Sequence, residues 1–278
     1  MAQTENASPG PTRAGRPVGG NDSGTPGWRR VYADLSAGPS HQEEMARWSG
    51  TRVAIVGALW ILGLALLVVM AVSAHQNATF PGDVGLAVWV QGLTSVNAPW
   101  LVHFINFASD ANWPTPAGAT AIAVIVALLI FRRVRAGLCT ILAGFGADGI
   151  NVMLNGWVAR PRPNNVHIHA VAHLGLHSFP SGHVTHVTAF YGFLLYLSFS
   201  ERMVHPHWRV FLRVVQVICL YFLIFIGPSR VLEGEHWPSD VLASYLLGGL
   251  VLVVAIAAYH GLGIAWGRYQ ERKGAAGA

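Results

Sequence analysis

Charge is what this sequence has least of. Asp, Glu, Lys and Arg make up 11% of its 278 residues, against about 25% in ordinary soluble domains. That deficit excludes a soluble enzyme, a disordered protein and a coiled coil as readings of the whole chain. Cysteine is nearly absent too. Cys139 and Cys219 both sit inside apolar stretches, which excludes a disulfide framework and a cysteine metal site. No short apolar run with a cleavage site opens the chain, so no secretory signal peptide is expected. What is abundant is apolar surface: 53% of the residues are hydrophobic. A polytopic membrane protein is the class that fits.

Six apolar segments read as membrane spans of an all-α fold, since only helices satisfy their backbone in lipid without a closed barrel. They run over Val53–Ala74, Pro114–Phe131, Val134–Asn155, Val184–Ser200, Trp208–Ile226 and Val241–Trp266. The second and fourth are short for a span of about 20 residues. Between the first two, His75–Trp113 is apolar but broken by Pro81, Gly82 and Pro99. It predicts one or two short helices at the membrane interface, with Trp89, Trp100 and Trp113 at headgroup depth. Residues 1–45 are rich in Gly, Pro, Ser and Ala and read as a disordered cytoplasmic tail. Residues 46–268 form the membrane domain and 269–278 a short cytoplasmic tail.

The net charge of +5 reflects topology rather than nucleic-acid binding. With a cytoplasmic N-terminus, one side holds Arg13, Arg16, Arg29, Arg30, Arg47, Arg52, Arg132, Arg133, Arg135, Arg202, Arg209, Arg213, Arg268, Arg272 and Lys273. That is the positive-inside pattern. Arg160, Arg162 and Arg230 remain on the outer side, where an anionic substrate gives them a purpose.

Three outer segments carry the candidate chemistry: NGWVARPRPNN from Asn155, SFPSGH from Ser178, and PSRVLEGEHWPSD from Pro228. Arg162 and Arg230 suit bidentate clamping of phosphate oxygens. Ser181, Gly182 and His183 open the fourth apolar segment, where a helix N-terminus favours an anion. His236 and Asp240 are four apart on one helical face. A carboxylate holding one ring nitrogen leaves the other free as a nucleophile.

These motifs resemble the type 2 phosphatidic acid phosphatase superfamily, the lipid phosphatases related to vanadium haloperoxidases. Its signatures are Lys-x6-Arg-Pro, Pro-Ser-Gly-His and Ser-Arg-x5-His-x3-Asp. The second matches in full at Pro180–His183 and the third in full from Ser229-Arg230 through His236 to Asp240. The first matches at Arg162-Pro163, but Asn155 stands where the lysine belongs. The resemblance implies an integral membrane phosphatase acting on a lipid-borne phosphate or diphosphate at the outer membrane face. His236 is the implied nucleophile, forming a phosphohistidine. Asp240 orients it, and His183 protonates the leaving group. Arg162, Arg230, Ser181 and Gly182 hold the phosphate, with Asn155 and Arg160 expected beside them, Arg160 offsetting the missing lysine. No metal and no other cofactor are implied. The implied partners are the lipid substrate and the membrane, with no nucleic acid; the site is extracytoplasmic and the membrane the plasma membrane. Two alternatives remain open at this point: transfer of the phosphoryl or headgroup to an acceptor hydroxyl, and a non-catalytic lipid-phosphate binder in which Asn155 has cost the activity.

The remaining polar residues have blander readings. His167, His169, His173, His177, His183 and His186 match no standard zinc spacing. Asp148, inside the third segment, either takes part in the site or supports the arginines. Glu233 and Glu235 read as solvated loop charge.

Overall fold

The computed structural model describes residues 50–76, 79–95, 98–170, 177–204 and 208–276. The expected tail at 1–45 lies outside them. The described residues form helices and connecting loops, with no strand among them. In chain order the helices are α1 (Gly50–Gln76), α2 (Asp83–Ser95), α3 (Pro99–Asp110), α4 (Pro114–Ile130), α5 (Val134–Val158), α6 (Gly182–Val204), α7 (Arg209–Leu232) and α8 (Pro238–Ala276). Within α5, Leu142–Gly146 is one π-helical stretch. From residue 269, where a short tail is expected, the chain continues α8 to Ala276.

Four helices are long and apolar enough to cross a membrane: α1, α5, α7 and α8. Their outer faces carry large exposed apolar side chains, among them Leu62 and Val69 of α1, Val152 of α5, Val210 and Val217 of α7, and Leu242 of α8. Lipid is the solvent such faces suit. The second expected span, α4, has only 17 residues. It reaches spanning length only together with α3, across a 63° bend, which would make a fifth span.

The fourth expected span, α6, is not apolar enough by composition, and its position explains why. Residues 184–193 are all buried, and α6 packs against α5, α7 and α8. A helix enclosed by protein needs no lipid-facing stripe, so it tolerates the buried Thr185, His186, Thr188 and Ser198. Thr188 Oγ1 returns its proton to the Val184 carbonyl at 2.7 Å, within the helix. Glycine lets α8 come close. A Cβ at Gly248 would lie 2.6 Å from Thr188 Cβ and 2.9 Å from the Thr185 carbonyl oxygen. Small residues at such crossings bring helix backbones together.

α1 packs on α8 and α5 through a narrow stripe of Leu67, Ala71 and Ala74. The segment expected at the interface is the helix pair α2 and α3. α3 lies on α7, where Phe104 meets Tyr221 and Phe225 edge-on at 5.0 and 5.1 Å. Trp89 and Trp100 are exposed, and Trp113 stands at the α3–α4 bend with its ring 5.5 Å from His183.

Candidate active site

The three motif segments converge where α5 and α7 end and α6 and α8 begin. α5 stops at Ala159, whose φ of 51° turns the chain out of the helix and into Arg160–Pro163. The loop 177–181 descends to α6, and 233–237 links α7 to α8. Gly234 permits that link: its φ is +68°, and a Cβ there would lie 2.5 Å from the His169 carbonyl oxygen.

His236 sits in this link, almost wholly buried. Its Nδ1 is 2.7 Å from the Ser178 carbonyl oxygen. A carbonyl only accepts, so Nδ1 carries the proton and Nε2 is left with its lone pair. Nε2 lies 3.5 Å from Arg162 Nη1. Burial, followed by the Arg230 and Arg162 guanidinium groups, pushes His236 well below the usual histidine range; the Ser178 bond opposes this and His183 adds to it. His236 is therefore neutral at physiological pH.

Asp240 was expected to hold His236 directly. Its carboxylate is instead 4.0 Å from Nδ1, and Ser178 stands between them in function. The Ser178 hydroxyl donates to Asp240 Oδ2 while its carbonyl accepts from His236. Asp240 also accepts the Trp237 N–H at 3.0 Å, a reciprocal cap on the first turn of α8.

Arg160 and Asn155 are occupied within the protein. The Arg160 side chain has no exposed surface. Its guanidinium donates to Asp83 at 2.7 Å, to Ser239 Oγ at 2.8 Å and to Asp240, and it lies over the Phe80 ring at 4.8 Å. Asp83 accepts the Ser239 N–H as well, at 3.0 Å, capping α8 from a distant part of the chain. Arg160 is thus placed as the cation between two buried carboxylates, not as a substitute for the missing lysine. Asn155 Nδ2 donates to the His177 and Phe179 carbonyls at 3.0 and 3.1 Å and so braces the loop that carries Ser181.

Arg162 and Arg230 are placed differently. Arg162 bonds the Glu235 carbonyl at 2.7 Å and its carboxylate at 3.0 Å. Burial lowers its pKa, with Glu235 opposing. Arg230 Nη1 is held by Ser109 and Glu233. Its Nε and Nη2 make no hydrogen bond although buried. Ser181 Oγ and His183 Nε2 are in the same condition; of nine such atoms among the described residues, these four belong to motif residues. Buried polar groups without a partner are costly, and these four atoms lie on the converging motif segments. Gly182 opens α6, and a Cβ there would approach Asn151 Oδ1 at 3.4 Å. Ser181 N–H is taken up by Ser244 Oγ at 2.6 Å.

Two further expectations change. Glu233 and Glu235 are buried rather than solvated, each against an arginine, and burial raises the Glu233 pKa while Arg230 opposes it. Asp148 does not support the arginines. It pairs with His186 Nδ1 at 3.0 Å, one turn below His183. His169 is bracketed by Gln91, and His173 lies outside the described residues. Among the described residues no group of three or more His, Cys, Asp or Glu side chains is arranged to hold a metal ion.

A sequence model of the PAP2 superfamily matches residues 132–263. Phosphatidylglycerophosphatase B of Bacillus subtilis is 24% identical over 184 residues, 66% of this chain and 86% of that protein. An undecaprenyl-diphosphatase of Sulfolobus acidocaldarius is 25% identical over 206 residues, 71% of this chain and 89% of that protein. A lipid A 1-phosphatase of Rhizobium etli is 30% identical over 119 residues, 40% of this chain and 45% of that protein. In fold, the chain is similar to the crystal structure of a transmembrane PAP2-type phosphatidylglycerolphosphate phosphatase from Bacillus subtilis, with a TM-score of 0.56, 22% identity, and coverage of 71% of this chain and 94% of that one. Residues 132–263, which hold all three motifs, are the part of this chain that matches the PAP2 superfamily.

Proposed function

We propose that this chain is an integral membrane lipid phosphatase that hydrolyses a lipid-linked phosphate or diphosphate monoester through a phosphohistidine. The observation that carries the reading is the set of buried, unpartnered polar atoms on Ser181, His183 and Arg230, together with a buried His236 whose Nδ1 is held by the Ser178 carbonyl and whose Nε2 is left beside Arg162. A phosphate has the oxygens to partner such a set. The phosphatase relatives support the substrate class.

In this scheme Arg162, Arg230, Ser181 and the N-terminus of α6 at Gly182 hold the phosphate oxygens. His236 Nε2 attacks phosphorus as the bond to the leaving oxygen breaks. His183 gives that oxygen a proton. Water then attacks the phosphohistidine, His183 takes the water's proton, and inorganic phosphate and the lipid product leave. Asp240 acts through Ser178, which keeps the imidazole in the nucleophilic tautomer. The arginines and the helix end supply the charge that a metal ion gives other phosphoryl-transfer enzymes, so the reaction runs without one. Arg160 and Asn155 position the loops rather than the substrate. The arginine distribution supports cytoplasmic termini and a site on the outer face; in this reading the membrane is the plasma membrane and α4 and α6 complete six spans.

The test is phosphate release from phosphatidic acid, phosphatidylglycerol phosphate and a polyprenyl diphosphate by the purified protein, beside His236→Ala. Release on at least one lipid by the natural sequence and none by the variant is expected. Equal release by both removes His236 as nucleophile, and no release on any lipid removes the phosphatase reading.

A further inference from the structure

One oxygen of Glu235 touches both arginines of the cradle. Oε2 is 3.0 Å from Arg162 Nη1 and 3.9 Å from Arg230 Nη2, and the side chain is 2% exposed. Neither arginine depends on this carboxylate for its place. Arg162 Nη1 is also anchored by the Glu235 main-chain carbonyl at 2.7 Å. Arg230 is anchored through Nη1 by Glu233 and Ser109. The Glu235 carboxylate is therefore an internal anion standing where two guanidinium groups converge, next to the nucleophile in sequence. Before any substrate arrives, Glu233 and Glu235 already balance the two positive charges of Arg162 and Arg230. Arg160 adds no spare charge, because Asp83 and Asp240 take it up.

A phosphate that enters must share the arginines with Glu235 or displace it. Free inorganic phosphate brings only its charge to that contest. A phosphate carried on a lipid also brings apolar surface and the membrane that holds it. We propose, on the reading of the site as a phosphate cradle, that Glu235 is a specificity-determining residue. It weakens the cradle for free phosphate, so that lipid-borne phosphate is favoured and the inorganic product is expelled after hydrolysis.

The test compares the purified natural sequence with Glu235→Gln and Glu235→Ala. Inorganic phosphate is titrated in two ways: as a competitive inhibitor of lipid phosphate hydrolysis, and as a ligand that raises the thermal unfolding temperature, which does not require turnover. Removing the competing charge at this range is expected to tighten phosphate binding roughly ten- to a hundredfold. The glutamine variant keeps the side-chain shape; the alanine variant shows the same direction if glutamine disturbs folding. Unchanged or weaker phosphate binding in a folded variant overturns the proposal, as does failure of both variants to fold, which makes Glu235 a structural ion-pair partner. Hydrolysis by the natural sequence with no change in phosphate affinity overturns this inference alone. Absence of phosphate binding and hydrolysis in all three proteins overturns the cradle itself.

Discussion

Replacing Arg160 by methionine separates a buried structural cation from a substrate clamp. Methionine keeps much of the length and apolar bulk of the side chain and removes the charge. It strands Asp83 and Asp240, whose side chains are 3% and 0% exposed, and it removes the guanidinium from the Phe80 ring. Breaking a buried pair from one side costs about 3–5 kcal/mol, a large part of a total stability of about 5–15 kcal/mol. At about 2–4 °C per kcal/mol for a domain of this size, the unfolding temperature drops by about 6–20 °C. Thermal unfolding of the protein in detergent measures it. Arg162→Met is the comparison: its side chain is 16% exposed, so it is expected to lose much more activity than stability. Adding Asp83→Asn to Arg160→Met removes one of the stranded charges and is expected to restore part of the lost stability. An Arg160→Met protein that unfolds within a degree or two of the natural sequence refutes the reasoning. Intact stability with a raised KM would make Arg160 a phosphate ligand after all.

Two more outcomes follow from the geometry. Because burial, Arg230 and Arg162 push His236 well below the ordinary histidine pKa of 6.5, its neutral form persists into acid. The acidic limb of kcat/KM is expected below pH 6.5, and Arg162→Gln is expected to move it upward; a limb at or above 6.5 assigned to His236 contradicts this. At the α6–α8 contact, Gly248→Ala forces a Cβ against Thr188 and the Thr185 carbonyl and is expected to cost about 1–3 kcal/mol. Gly249→Ala meets nothing within 4 Å and serves as the control, its thermal unfolding expected to be no lower than that of the natural sequence.

The linear motifs made much of the site legible. Spacing put His236 and Asp240 together, although only Asp240 lies in α8 and His236 sits in the link just before it; charge singled out Arg162 and Arg230. What spacing does not encode is the set of partners that arrive from elsewhere. Asp83 begins a helix in a segment that reads only as apolar and interfacial, yet it caps α8 and neutralises Arg160. Ser178 stands just outside the matched Pro-Ser-Gly-His, and its backbone carbonyl, a group every residue has, orients the His236 ring. Ser109 and Ser239 carry no signal of their own. Glu233 and Glu235 looked solvated because burial of a carboxylate depends on an arginine meeting it, and that is a property of the fold. The apolar runs located α1, α7 and α8 well, since those helices face outward. α6 was the hard case for the opposite reason: enclosed by neighbours, it needs no continuous apolar surface.

The most direct measurement of the central claim is acid-sensitive phosphoenzyme trapping. The purified protein is mixed with a lipid phosphate labelled on phosphorus and quenched in alkali, where phosphohistidine survives. A labelled protein band that disappears on acid treatment, present in the natural sequence and absent in His236→Ala, is the predicted result. A band that persists in His236→Ala, or hydrolysis by the natural sequence with no phosphoenzyme under any quench time, would contradict the account.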